Sequence, residues 1–594
     1  GDLTWSYDGN IVEIVWDAGF AAGEERTVTV TYKVVEPVAG LYFMSPTEQE
    51  PELSTYAATD HETEKARYWL PCVDLPHVRT TLDMKISSDP AHTILANGAK
   101  KGEEMVGDDR KCAHWILQQR CPSYLVCFAV GEFTRYDDGK FEDIPLSYFA
   151  GKDFTPEDLK RTFGRTKPML EWMTKKLGVP FPFPKYFQFA LPCFGGAMEN
   201  ISLVSWSDGF VLNKKAEPEL VWLTDQVNVH EMAHSYFGDL VVCRDYANAW
   251  LKESWATYIE TCYLEDFKGE DEQLYDLYRN RKAYLTEADD SYKRPIFNRY
   301  YRSSWQMYDR HLYPGGACRM HTLRKKVGDD NFWKATTTYL IRFSEKTVET
   351  DDFRKVMEEV SGKSLVKFFE QWFVNPDYPL LGVEFEYDEE SQRGVFHLTQ
   401  KQAEEGKDKD PSQPFDLDVT LEWRIEGNTR RETVCFDRVK QSFSFAMEKD
   451  PEFVVVDPYC TMVHKLEFEP GREKLANQLK SANVIGRIIA ANQLAKSGRK
   501  DHLDKIFAQY KDETFWGARS AMVQAIGSAN THHSVTLICQ MIAEESDPLV
   551  HEAVFAAAAG FRDPQIKAAT LDRLRQGGLG YYAESAAYSV LGRQ

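Results

Sequence analysis

One short segment limits how this 594-residue chain can fold more than any other: His230-Glu231-Met232-Ala233-His234, with Glu253 beyond an intervening stretch of eighteen residues. On a helix, positions i and i+4 share a face and lie ~6 Å apart, so both imidazoles reach one tetrahedral zinc ion. Glu231 is turned ~100° from His230, which lets it reach a water on the metal without becoming a ligand. The flanking residues predict that helix, since neither Pro nor Gly occurs from 219 to 237, and Gly238 is read as its end. Residues 239–248 are read as a turn, and a second helix through Trp250–Tyr258 brings Glu253 back as third ligand. Two His and one Glu leave a fourth position open, the pattern of a catalytic rather than a structural zinc. Glu260, seven residues on, shares the face of Glu253 and is placed to orient a ligand histidine through its second ring nitrogen. One zinc, a water and Glu231 as acid–base suffice for amide hydrolysis. These residues alone do not decide between cutting chain interiors and chain ends.

The rest of the sequence bounds the setting. Lys plus Arg is 71 against 92 Asp plus Glu, a formal charge of −21, which argues against a nucleic-acid partner. No apolar run approaches a membrane span; one of the longest is Ala553–Phe561. The 11 cysteines include no C-x-x-C pair, so a zinc ribbon is not expected and most are read as small buried apolar residues. The start carries no signal-peptide pattern and no Met, and the end lacks a polar capping helix, so the chain is expected to be cut at both ends. The compartment expected is the cytoplasm, with export open.

The expected class is multidomain α+β. Residues 1–137 read as an N-terminal β domain, with strands at Val28–Val34, Leu82–Ile86 and Tyr124–Val130 and turns at Asp8-Gly9-Asn10 and Asn97-Gly98. Residues 138–378 read as the mainly helical zinc domain. Its first helix is predicted from a capped start at Thr155-Pro156-Glu157-Asp158 to Leu177, stopping at Gly178. Residues 179–184 are read as a structured Pro-rich loop, and further helix stops are expected at Gly328, Gly362 and Pro376. Residues 379–462 read as a β-sandwich, with a charged loop at 404–413. Residues 463–594 read as helical repeats, because Leu494-Ala495, Ile526-Gly527, Ala559-Gly560 and Leu591-Gly592 recur at spacings of 32, 33 and 32.

Upstream of the zinc motif stands Gly196-Ala197-Met198-Glu199-Asn200. With H-E-x-x-H-x18-E it resembles the aminopeptidase N family of zinc metallopeptidases, which includes leukotriene hydrolase. Trp69–Pro76 is similar to the family's F-P-C-F-D-E-P stretch, and Trp372 with Asn375-Pro376 resembles the end of its catalytic domain. The resemblance implies a thermolysin-like zinc domain, a small β-sandwich and HEAT-like helical repeats. It also implies an aminopeptidase acting on peptides with a free N-terminus. Glu199 would bind the substrate's α-amino group, with Gly196, Ala197 and Met198 beside the substrate backbone. Thr59-Asp60-His61-Glu62 resembles the family's T-Q-x-E, which would make Glu62 a second carboxylate on the amine. Tyr313-Pro314-Gly315-Gly316-Ala317-Cys318 resembles Y-x-K-G-A-C, which would give Tyr313 the oxyanion. Three departures bear on substrate preference and packing: Lys252-Glu253-Ser254 for N-E-G, Gly315 for Lys, and Tyr236 for the Trp of H-x-W-F-G. Two other readings stand beside this one. They are a scaffold of the same fold with catalysis lost, and an endopeptidase or epoxide hydrolase on the same zinc. The helical repeats offer a surface for a protein partner.

Overall fold

The computed structural model describes residues 4–49, 51, 53–404 and 413–593. Nearly all of the charged 404–413 stretch lies outside them. The N-terminal region is β-rich. Leu41–Met44, Tyr56–Thr59, Phe128–Gly131 and Thr93–Ala96 form one antiparallel sheet, and Arg79–Ser88, Lys111–Pro122 and Ala99–Met105 form another. The expected Leu82–Ile86 strand lies within Arg79–Ser88. Asn97-Gly98 is a true turn: Gly98 has φ +79°, and a Cβ there would lie 2.1 Å from the Ile116 carbonyl oxygen.

Two strand expectations need correction. Val28–Val34 is not paired into any sheet, and Val28, Val30 and Tyr32 are exposed. Alternation and β-branching make a strand only where a partner supplies hydrogen bonds, and none of the described strands lies alongside. Tyr124 falls in a 3-10 turn, Ser123–Leu125, and pairing begins only at Phe128.

The next sheet joins the two halves of the site. In order it contains Phe133–Phe141, Ile144–Gly151, Tyr186–Leu191, Leu203–Ser207 and the two-residue edge strand Ala197–Met198. Against it pack α1 (Pro156–Phe163) and α2 (Thr166–Leu177). The single helix expected over 155–177 is thus two. It starts on the expected cap, with Thr155 accepting from the Asp158 N–H in a reciprocal box, and ends at Gly178 in the left-handed region. It breaks at Gly164, where the backbone comes so close to the Lys160 carbonyl that a Cβ would lie 2.5 Å from it.

Four helices carry the chemistry and its support: α3 (Glu217–His234), α4 (Trp250–Lys268), α5 (Glu270–Asp290) and α6 (Gly316–Val327). α3 and α4 are buried nearly all round, so they form the middle of the main core. Phe237 stacks on Trp255 at 4.4 Å and 5°, which adds ~0.5–1.5 kcal/mol to the area buried. The 239–248 link is more ordered than a turn, with a short strand at Val241–Cys243 and a 3-10 turn at Tyr246–Asn248.

Beyond it, two sheets face each other through Phe396, Trp423 and Phe445. The sandwich's last strand, Lys465–Phe468, pairs in parallel with Leu380–Asp388. Helices then alternate in two layers to Tyr581–Arg593, each packing on its second neighbour. The Leu-Ala and Ile-Gly landmarks sit at the ends of Val484–Ala495 and Trp516–Ser528, as the period predicts. This layer docks on α3: Glu219 accepts the Tyr582 and Ala583 N–H groups at 3.1 and 2.9 Å, and Trp222 packs on Trp516. Among the described residues no helix is long and apolar enough to cross a membrane.

Candidate active site

α3 and α4 bring His230, His234 and Glu253 together. Glu253 Oε2 lies 3.5 Å from His230 Nε2 and 3.2 Å from His234 Nε2, and the imidazole centroids are 4.8 Å apart. The other ring nitrogens are engaged. His230 Nδ1 is 2.6 Å from Glu260, as expected, and His234 Nδ1 is 2.9 Å from the Phe237 carbonyl. These contacts turn both Nε2 atoms toward Glu253. The helix itself ends at His234, and the chain then turns through Gly238, whose φ is +130°. A Cβ at Gly238 would press on both His234 Nδ1 and the Lys252 stem, each at 3.4 Å.

The donor set fits a zinc ion. Two imidazole nitrogens and one carboxylate oxygen converge within 4.8 Å of one another, and the Glu253 oxygen involved is the one that Lys252 does not contact. Glu231 is buried alongside, and its Oε2 has no hydrogen-bond partner. Burial raises its carboxyl to about 7, against the lowering effect of the two histidines. A buried, unpartnered carboxylate oxygen beside a ligand set has the placement of a proton acceptor for water. Replacing Glu260 with Ala should weaken zinc affinity about tenfold to a hundredfold, because the His230 ring loses its orienting partner. Competition with a colorimetric chelator measures this, and an unchanged affinity would contradict the orienting role.

The upstream motif forms the opposite wall. Ala197 and Met198 pair with Trp206 and Ser205, and the Gly196 carbonyl accepts the Ser207 N–H at 2.6 Å. Their strand is the sheet's last, so among the described residues its outer edge carries no further strand. Met198 is buried in the main core, and Glu199 is buried at the strand's end. Glu199 Oε1 is 3.9 Å from His234 Nδ1, so this wall and the ligand set meet. Tyr313 lies across from it, its ring 6.1 Å from that of His230 at 29°. Burial and the nearby Glu253 hold its hydroxyl well above the usual tyrosine range, hence protonated and able to donate.

Glu62 arrives from the loop after Tyr56–Thr59 and accepts a hydrogen bond from the Tyr308 hydroxyl. Between the proposed anchors stands a residue that sequence reasoning noted only as a departure. Lys252 Nζ lies 3.1 Å from Glu62 Oε2, 2.8 Å from Glu199 Oε1 and 2.9 Å from Glu253 Oε1, with the Tyr124 and Tyr308 rings 4.9 and 5.4 Å away. Its side chain is 1% exposed. Burial alone would lower the ammonium's pKa, but Glu199, Glu253 and Glu62 outweigh it and hold the lysine charged. The sequence signal was the cation immediately before the third ligand. Tyr124 and Tyr308 carried no signal, since only the tertiary fold brings them here.

Residues 161–372 match the Peptidase family M1 domain and residues 3–125 the Peptidase M1 N-terminal domain. The chain belongs to peptidase family M1. This is the aminopeptidase N family that the motifs resemble, and its members are metallopeptidases. The M1 chain is 26% identical over 375 residues to Tricorn protease-interacting factor F2 of Thermoplasma acidophilum, covering 62% of this chain and 46% of that protein. It is 25% identical over 397 residues to glutamyl aminopeptidase of Mus musculus, covering 64% and 40%. Endoplasmic reticulum aminopeptidase 1 of Rattus norvegicus is 26% identical over 352 residues, covering 57% and 37%. The chain thus spans less than half the length of these curated relatives. Its fold is similar to a crystal structure of Legionella pneumophila aminopeptidase A in complex with aspartic acid. The TM-score is 0.76, with 17% identity and coverage of 93% of this chain and 70% of that one.

The remaining departures from the M1 pattern have local accounts. The Ser254 hydroxyl donates to the Leu312 carbonyl at 2.6 Å, filling space against Gly316. Gly315 faces Tyr284, where a Cβ would come within 2.6 Å of the ring. The Tyr236 hydroxyl donates to the Val179 carbonyl and thereby ties the turn after α3 to the 179–184 loop.

Proposed function

We propose that this chain is a zinc-dependent aminopeptidase that hydrolyses the N-terminal peptide bond of peptides. The observation that carries the reading is the convergence of His230, His234 and Glu253 beside the unpartnered buried oxygen of Glu231. His230, His234 and Glu253 would hold one zinc ion, which when bound supplies the Lewis acidity that polarises a carbonyl and acidifies water. Glu231 takes a proton from the attacking water and delivers it to the leaving nitrogen. The Tyr313 hydroxyl donates a hydrogen bond to the carbonyl oxygen as negative charge develops on it. The free edge of Ala197–Met198 aligns the substrate backbone.

Exopeptidase action follows from how the site ends. Glu62, Glu199 and Lys252 are buried next to His234, with Tyr308 half-buried beside them, and this wall would exclude a residue preceding the scissile one. The names of the relatives, glutamyl aminopeptidase and endoplasmic reticulum aminopeptidase 1, support the reading. The scaffold alternative loses support because each ligand, the acid–base and Tyr313 are present and placed together. An acidic preference is not carried over from those names, since the site's Lys252 is already paired with three carboxylates. A panel of aminoacyl-anilides should be hydrolysed, and their N-acetylated counterparts should turn over at least about tenfold more slowly. Equal turnover of both sets would point to an endopeptidase.

A further inference from the structure

The wall beside His234 contains its own cation. Two carboxylates, Glu62 and Glu199, converge on one ammonium, and that ammonium belongs to Lys252. It is flanked by two tyrosine faces, and its side chain is 1% exposed. Such a cage of anions and aromatic faces is what recognises an alkylammonium ligand. The oxygens are already assigned: Glu62 Oε1 to Tyr308, Glu62 Oε2 and Glu199 Oε1 to Lys252. An incoming amine would have to share these oxygens with Lys252 and Tyr308 or turn to the second oxygen of Glu199. A neutral N-terminus, in turn, strands no buried anion here, because Lys252 keeps both carboxylates paired.

We propose that Lys252 is an internal competitor that occupies the ammonium position between Glu62 and Glu199, so that a substrate's free α-amine adds little to binding. The inference rests on the aminopeptidase reading of this site and deepens it. It makes Lys252 a specificity-determining residue: exclusion at the wall selects chain ends, and the amine's charge does not. Lys252→Asn removes the competitor and keeps His230, His234 and Glu253, although Glu253 Oε1 loses its contact with Lys252, so zinc content is measured on the variant. The freed carboxylates then offer charge-assisted hydrogen bonds to an α-ammonium, each pair of which is worth about tenfold or more in affinity.

The test measures binding rather than turnover. Calorimetry on the zinc-loaded full chain compares an α-amino-acid hydroxamate with its desamino analogue; both grip a zinc ion, and only one carries the ammonium. In the unsubstituted protein the amine should improve affinity by less than about threefold, and in Lys252→Asn by at least about tenfold. A tenfold amine advantage in the unsubstituted protein would overturn the inference, and this arm holds even if the variant does not fold. An amine advantage unchanged in a folded, zinc-loaded variant would overturn it as well. If neither hydroxamate binds the zinc-loaded protein, the metal-site reading itself fails and takes this inference with it.

Discussion

Glu231→Gln is expected to lower kcat for aminoacyl-anilides by at least about a thousandfold while zinc stays bound. Gln keeps the shape and volume of the side chain, so the α3–α4 packing around it is not disturbed. His230, His234 and Glu253 do not hydrogen-bond to Glu231, so the ligand set keeps its geometry. What is lost is the capacity of a buried, unpartnered oxygen to accept a proton from water and return it to the leaving nitrogen. Metal content measured on the same preparation separates this from loss of the ion. Turnover within tenfold of the unsubstituted protein, with zinc present, would remove Glu231 from the reaction.

Tyr313→Phe is expected to lower kcat by about a hundredfold to a thousandfold and to change KM far less. The ring packs near His230 and Tyr308, and Phe preserves that packing. The hydroxyl is held protonated by burial and by the nearby Glu253, so it keeps a proton to donate. A donor matters most where the carbonyl oxygen becomes anionic, which is the transition state rather than the bound ground state. A variant with unchanged kcat and raised KM would mean that Tyr313 only binds substrate.

Much of this site was readable because it is written in local periodicity. The i, i+4 spacing of His230 and His234 sets their geometry on any helix, and Glu260 follows from Glu253 by the same rule. The capping box at Thr155 and the left-handed end at Gly178 were also legible, since both act within a few residues. Gly164 was not read as a break, because its effect comes from a close backbone approach that a pattern of apolar residues does not encode. Val28–Val34 has the composition of a strand, but strand formation depends on a partner elsewhere in the chain. Lys252 is the sharpest case. Its position next to a ligand was plain, but its role depends on Glu62 and Glu199, 190 and 53 residues away, meeting at one point.

If His230, His234 and Glu253 hold one zinc ion, hydrolysis must depend on that ion. The direct measurement strips the protein with a chelator, removes the chelator, and titrates zinc back while following aminoacyl-anilide hydrolysis and bound metal together. The stripped chain should be inactive, hydrolysis should rise with added zinc, and both signals should level off at one zinc per chain. Full hydrolysis by the stripped chain, or none with one zinc bound, would contradict it.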